Sequence, residues 1–119
     1  MRIIVADDQI EVRSALRLLL EEKTGISMIT EAADESTLLK MADYLKPDLI
    51  ILDWELNPRK PGEAVEKLKN NHSGTALIVL SSRPQIYAAA MRAGARGFVC
   101  KSDPPEAILK TLKECGFGT

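Results

Sequence analysis

The sequence predicts an α/β fold, a doubly wound five-stranded parallel sheet with five helices covering both faces. Three observations carry this. Short β-branched and aliphatic runs alternate five times with longer segments of helical period. The joints are short and the composition does not shift along the 119 residues, which predicts one domain over 1–119. The clearest strand-like runs are apolar throughout, as in strands covered on both faces.

Taken in order, "RIIVA" at 2–6 reads as a buried strand, and Val12, Leu16, Leu19 and Leu20 mark one helical face. After Gly25, "ISMIT" at 26–30 reads as the second strand, followed by a stripe of Leu38, Met41, Ala42 and Leu45. Pro47 sets off "DLIILD" at 48–53, a third strand, and "GEAVEKLKNN" supplies a short helix. "TALIVL" at 75–80 is the fourth strand. Pro84 suits the first turn of a helix carrying Ile86, Ala90 and Ala93. "RGFVC" at 96–100 is the fifth strand, and Pro104 or Pro105 opens a last helix with Ile108, Leu112 and Cys115.

Composition excludes several classes. A formal net charge of −1 lacks the basic excess of a nucleic-acid surface. No apolar run approaches the roughly 18 residues of a membrane span, and the N-terminus lacks signal-peptide architecture. Cys100 and Cys115 lie within periodic apolar segments and imply no disulfide framework, so a cytoplasmic setting is expected. The single histidine, His72 in "KNNHSG", reads as a solvated loop residue, and one histidine with two scattered cysteines cannot build a zinc site.

In a parallel sheet of this kind the carboxyl ends of the strands share one edge, where ligands bind. Asp7 and Asp8 follow the first strand, Asp53 ends the third, Ser81 and Ser82 follow the fourth, and Lys101 follows the fifth. Each has a local explanation. Asp8 with Glu11 resembles an acidic capping box, Asp53 suits a turn, and a serine near Pro84 suits a cap. Capping alone does not call for three acids and a lysine at the same edge.

Two carboxylates about 4 Å apart repel by about 4 kcal/mol at an effective dielectric near 20, so three of them need more than one ammonium. Oxygen donors without histidine or cysteine select a hard cation such as Mg²⁺ (or Mn²⁺) over zinc or copper. A flavin phosphate would instead want backbone donors after the first strand, and Asp7 and Asp8 would repel it. The acids therefore fit a metal that in turn holds a phosphoryl group.

These motifs resemble the CheY-like receiver domain of two-component response regulators, from end to end. The resemblance rests on "VADD" after the first strand, "LIILD" closing the third, "LSS" after the fourth and "GARGFVCK" closing the fifth. It implies a flavodoxin-like strand order 2-1-3-4-5 and a phosphoacceptor at Asp53. It also implies direct metal contact by Asp8, contact through water by Asp7, and a further ligand in the backbone carbonyl of Glu55. Lys101 and the Ser81 hydroxyl would bind phosphoryl oxygens, and Ser81 and Phe98 would form the switch, Phe98 being equally readable as a core aromatic. The implied partners are a sensor histidine kinase or phosphotransfer protein and an output domain or downstream protein. A homodimer formed on phosphorylation is a further expectation, with the helix 4–strand 5–helix 5 surface as the output face.

The chain departs from the family pattern in two loops. Pro58 and Gly62 fall five and nine residues after Asp53, one more than usual, and the stretch 81–94 is about two residues shorter. Ser102 stands where many members carry proline, and "KSDPPEAILKTLKE" is more like receivers joined to NarL-type DNA-binding domains. One competing reading is a phosphorylation-independent interaction module, but degenerate receivers lose an acid, the acceptor or the lysine, and all are present. Another is a Mg²⁺-dependent phosphatase with Glu55 as its second acid, but 119 residues leave no room for a substrate cap. The expectation is a switch and not a turnover enzyme. No effector segment follows the last helix, so the receiver stands alone or its output domain lies outside this sequence.

Overall fold

The computed structural model describes residues 1–23 and 25–117. The strands are β1 (Arg2–Ala6), β2 (Met28–Ala32), β3 (Leu49–Asp53), β4 (Ala76–Ser81) and β5 (Gly97–Cys100). They alternate with α1 (Ile10–Glu21), α2 (Glu35–Leu45), α3 (Glu63–Asn71), α4 (Tyr87–Ala93) and α5 (Ala107–Glu114). All pairs are parallel, and the order is β2-β1-β3-β4-β5. The predicted fold class and strand order are both observed.

The core divides at the sheet. On one face Ile4, Ile50, Leu52, Leu77 and Val79 pack under α2, α3 and α4, with Leu38, Val65, Leu68 and Ala90 as their partners. On the other, Ile3, Val5, Ile51, Ile78 and Leu80 pack under α1 and α5, against Leu16, Leu20, Ile108 and Leu112. Full burial of each such aliphatic side chain contributes about 1.5–3 kcal/mol relative to exposure. β3 and β4 are buried at every residue, which explains why their sequences are apolar without alternation. The registers bring the ends of β1, β3, β4 and β5 level, with Ala6 beside Leu52, Asp53 beside Leu80 and Ser81 beside Cys100.

Several boundaries differ from the sequence reading. The second strand begins at Met28, not Ile26, and extends to Ala32. It is an edge strand, and its Glu31 is balanced by Arg13 and Arg17 of α1, so a charge within it is no terminator. Pro84 opens a 3-10 turn over Pro84–Ile86, and α4 proper starts at Tyr87. Pro104 and Pro105 lie in turns whose carbonyls accept from Ala107 and Ile108, and α5 starts only at Ala107. His72 is not solvated: its side chain is 11% exposed and its Nε2 lies 2.7 Å from Asp43 Oδ1, joining the end of α3 to α2.

Candidate functional site

The site begins where β1 stops. Asp7 is fully buried, and its backbone N–H still donates to Ala32 of the neighbouring strand at 3.1 Å. Its Oδ1 accepts from the Gln9 amide at 2.8 Å, closing the turn into α1. The Asp8–Glu11 capping box does not form; Gln9 is the N-cap and no side chain caps the helix. Asp8 is thereby left exposed, with its carboxylate facing the rim.

Asp53 ends β3 and is 5% exposed. Its Oδ1 accepts from the Glu55 amide at 3.0 Å, while its Oδ2 lies 3.1 Å from Lys101 Nζ. Lys101 reaches across from the end of β5 and sits 2.7 Å from Asp7 Oδ2. That Asp7 oxygen is buried and makes no aligned hydrogen bond, so its close neighbour is a charge and not a fitted donor. One oxygen from each of Asp7, Asp8 and Asp53 lies within 4.8 Å of the others. The structure brings together the three acids named from the strand edge, with Lys101 in contact with Asp7 and Asp53.

Burial pushes the Asp7 carboxyl above its ordinary value, and the close Lys101 ammonium and the Gln9 amide offset only part of that. For Lys101, burial works against the charged form, but the close carboxylates of Asp7 and then Asp53 outweigh it and hold the ammonium above the ordinary lysine value. Three carboxylates facing one ammonium leave negative charge in a partly buried place. Together with the orphaned Asp7 oxygen, this donor set fits a hard divalent cation bound through oxygen.

Ser81 is fully buried and is the last residue of β4, which runs one residue beyond the Leu80 end read from the sequence. Its hydroxyl donates to the Glu55 carboxylate, 3.1 Å from Oε1, and accepts from the Arg83 amide at 3.0 Å. It does not cap the helix at Pro84, whose preceding residue Arg83 has no side-chain cap. Phe98 is half-buried, packs on the α2–α3–α4 side of the core, and meets Tyr87 edge-on with ring centroids 5.8 Å apart.

Sequence reasoning missed four contributors. Gln9 Oε1 accepts from Lys101 Nζ at 3.1 Å, and Arg13 Nη1 donates to the Asp7 carbonyl at 2.6 Å. From the sequence Glu55 reads as a carbonyl ligand or a phosphatase's second acid, yet its side chain holds Ser81 and pairs with Arg83 at 3.6 Å. Gln9 and Arg13 share one face of the first helical turn after the acids, which is the only clue the sequence offers to them.

A parallel sheet in this order, with buried acids, a serine and a lysine at the carboxyl ends of its strands, defines a CheY-like receiver. The chain belongs to the response regulator receiver domain family, whose profile matches residues 3–113. The transcriptional regulatory protein YhcZ of Bacillus subtilis is 31% identical over 118 residues, covering 98% of this chain and 55% of that protein. The nitrate/nitrite response regulator NarL of Escherichia coli is 27% identical over 118 residues, with 98% and 55% covered. The chain therefore spans about half the length of the curated relatives it matches. RcsB of Salmonella enterica serovar Typhimurium, solved bound to the promoter rprA with the phosphomimetic BeF3−, superposes with a TM-score of 0.86. It shares 23% identity, with 98% of this chain and 61% of that chain covered, and at that identity the likeness concerns the fold.

Proposed function

We propose that this chain is a phosphorylatable receiver switch in which Asp53 is the phosphoacceptor. The observation that carries the reading is the cluster of Asp7, Asp8 and Asp53 oxygens within 4.8 Å, facing the single ammonium of Lys101. A carboxylate oxygen of Asp53 attacks phosphorus in a phosphohistidine of a sensor kinase or phosphotransfer protein. The O–P bond of an acyl phosphate forms as the P–N bond breaks, and the electron pair leaves with the imidazole. Asp8, Asp53 and the Glu55 carbonyl would hold Mg²⁺ or Mn²⁺, with Asp7 acting through water. Bound there, the cation neutralises charge on the acids and on the phosphoryl oxygens.

Lys101 then pairs with a phosphoryl oxygen in place of Asp53, and the Ser81 hydroxyl donates to another. Movement of Ser81 opens space for Phe98, which alters the surface made by α4, β5 and α5. This is a regulatory device acting once per phosphoryl group and not a turnover enzyme. Residues 1–119 make the receiver unit, and the relatives' names and lengths support an output domain of the DNA-binding kind beyond it. The receiver itself carries a net charge of −1 and contacts a protein surface, not nucleic acid. No helix among the described residues is long and apolar enough to cross a membrane, in keeping with a cytoplasmic switch.

The test is incubation with acetyl phosphate and Mg²⁺, read by intact mass. Wild type should gain one phosphoryl group and Asp53→Asn none. Full labelling of Asp53→Asn, or none of wild type, would overturn the assignment.

A further inference from the structure

We infer that the Glu55 side chain is a positioning residue that competes with the phosphoryl group for the Ser81 hydroxyl. The inference rests on Asp53 being the phosphoacceptor. Ser81 has one proton to donate, and it is given to the Glu55 carboxylate, 3.1 Å from Oε1 and 3.3 Å from Oε2. Ser81 Oγ also accepts from the Arg83 amide at 3.0 Å, which fixes the hydroxyl further. Ser81 is fully buried, so it must break an existing bond before it can serve a phosphoryl oxygen.

The release is built into the chain. Glu55 lies two residues from Asp53, and its amide already donates to Asp53 Oδ1 at 3.0 Å. A phosphoryl group on Asp53 raises the negative charge there from one to about two, which repels the Glu55 carboxylate. Arg83, at 3.6 Å from Glu55 Oε2 and about half exposed, offers that carboxylate a partner on the solvent side. As Glu55 withdraws, the Ser81 proton turns to the phosphoryl oxygen. The serine bond thus changes hands only when the acceptor is loaded.

Beryllofluoride with Mg²⁺ is the probe, its affinity measured from Trp54 fluorescence in wild type, Glu55→Gln, Glu55→Ala, Ser81→Ala and the Glu55→Ala/Ser81→Ala double variant. Gln and Ala remove the same charge, but Gln keeps an acceptor for Ser81. Competition predicts affinity rising from Glu to Gln to Ala, the last step by about threefold or more, within the range of one hydrogen bond. It also predicts that the gain from Glu55→Ala shrinks by a similar factor once Ser81 is alanine. Equal affinity of the Gln and Ala variants, or an undiminished gain without Ser81, would show a charge effect alone and overturn the competition while leaving the acceptor assignment intact. Failure of wild type to bind beryllofluoride would instead overturn the acceptor assignment, and this role of Glu55 with it. Thermal melts identify any variant that does not fold, and Glu55→Gln, which retains shape and hydrogen bonding, keeps the comparison available.

Discussion

The ammonium of Lys101 lies closer to Asp7, at 2.7 Å, than to Asp53, at 3.1 Å. The buried acid that follows β1 therefore shares the lysine with the acid that ends β3, and the ammonium competes with any cation for their oxygens. Replacing that lysine contact at Asp7 requires that Asp7 be ionised.

Divalent binding should accordingly stabilise the fold and should weaken in acid. At about 100 times its dissociation constant, Mg²⁺ should add about 2.7 kcal/mol to unfolding. Burial raises the Asp7 carboxyl above 3.8, so the folded protein takes up this proton at higher pH than the unfolded chain does. A proton on Asp7 would weaken the hold of the site on the cation, so the Mg²⁺-induced rise in melting temperature should shrink as the pH falls into the carboxylate range. Melts of wild type and Asp8→Ala with and without Mg²⁺ check this. A gain unchanged in Asp8→Ala would remove that residue from the metal site.

How much of this was legible in the sequence follows from where each partner lies. β3 and β4 could be read because burial on both faces leaves an uninterrupted apolar run. The ends of strands placed Asp7, Asp53, Ser81 and Lys101 at one rim, since parallel topology alone fixes that edge. What could not be read was side-chain direction. Glu31 lies inside β2 because guanidinium groups on α1 balance it, and Glu55 points to Ser81 across 26 residues of sequence. His72 sits in a polar stretch, yet a partner 29 residues away covers it.

The Arg13–Glu31–Arg17 cluster should set part of the acid response. Arg17 first, and then Arg13, hold the Glu31 carboxyl below the ordinary 4.5. A lowered folded value means that its stabilisation is fully present above 4.5 and is lost as pH falls through the folded value. Glu31→Gln should cost about 1 kcal/mol at pH 7, a shift of about 4 °C in melting temperature. Wild type and variant should converge in strong acid. A difference that persists there would mean Glu31 acts by packing and not by charge.

Gly62 controls the loop after Asp53. It is buried, its φ is +82°, and a side chain there would run into the Trp54 ring. Its amide also donates to the Trp54 carbonyl at 3.0 Å, closing that loop. Gly62→Ala should cost about 1–2 kcal/mol from backbone strain alone, and more from the displaced ring. Denaturant melts followed by Trp54 emission measure both effects. An unchanged midpoint and emission maximum would mean that the loop relaxes freely.

The last prediction concerns the partner surface. Tyr87, Met91, Arg96, Phe98 and Thr111 border a groove between α4, β5 and α5, with Tyr87 about half exposed and edge-on to Phe98. Glu106, Lys110 and Lys113 add both charge signs on the α5 side, the mixture a two-fold interface uses for reciprocal pairs. Arg96 is already engaged, stacked 5.7 Å from the Phe117 ring centroid and bonded to the Cys115 carbonyl. Arg92 is exposed too but borders a separate groove with Trp54, Pro61 and Glu66, so Arg96 is the cation that tests pairing across this one. Movement of Phe98 on phosphorylation would carry Tyr87 with it and reshape this groove. Beryllofluoride should therefore raise self-association of wild type, and Arg96→Glu should cancel the rise without altering beryllofluoride affinity, while Arg92→Glu should leave it in place. Sedimentation with the same monomer fraction with and without the mimic would assign the groove to a different protein partner, since no charge pairing between copies would then be at work.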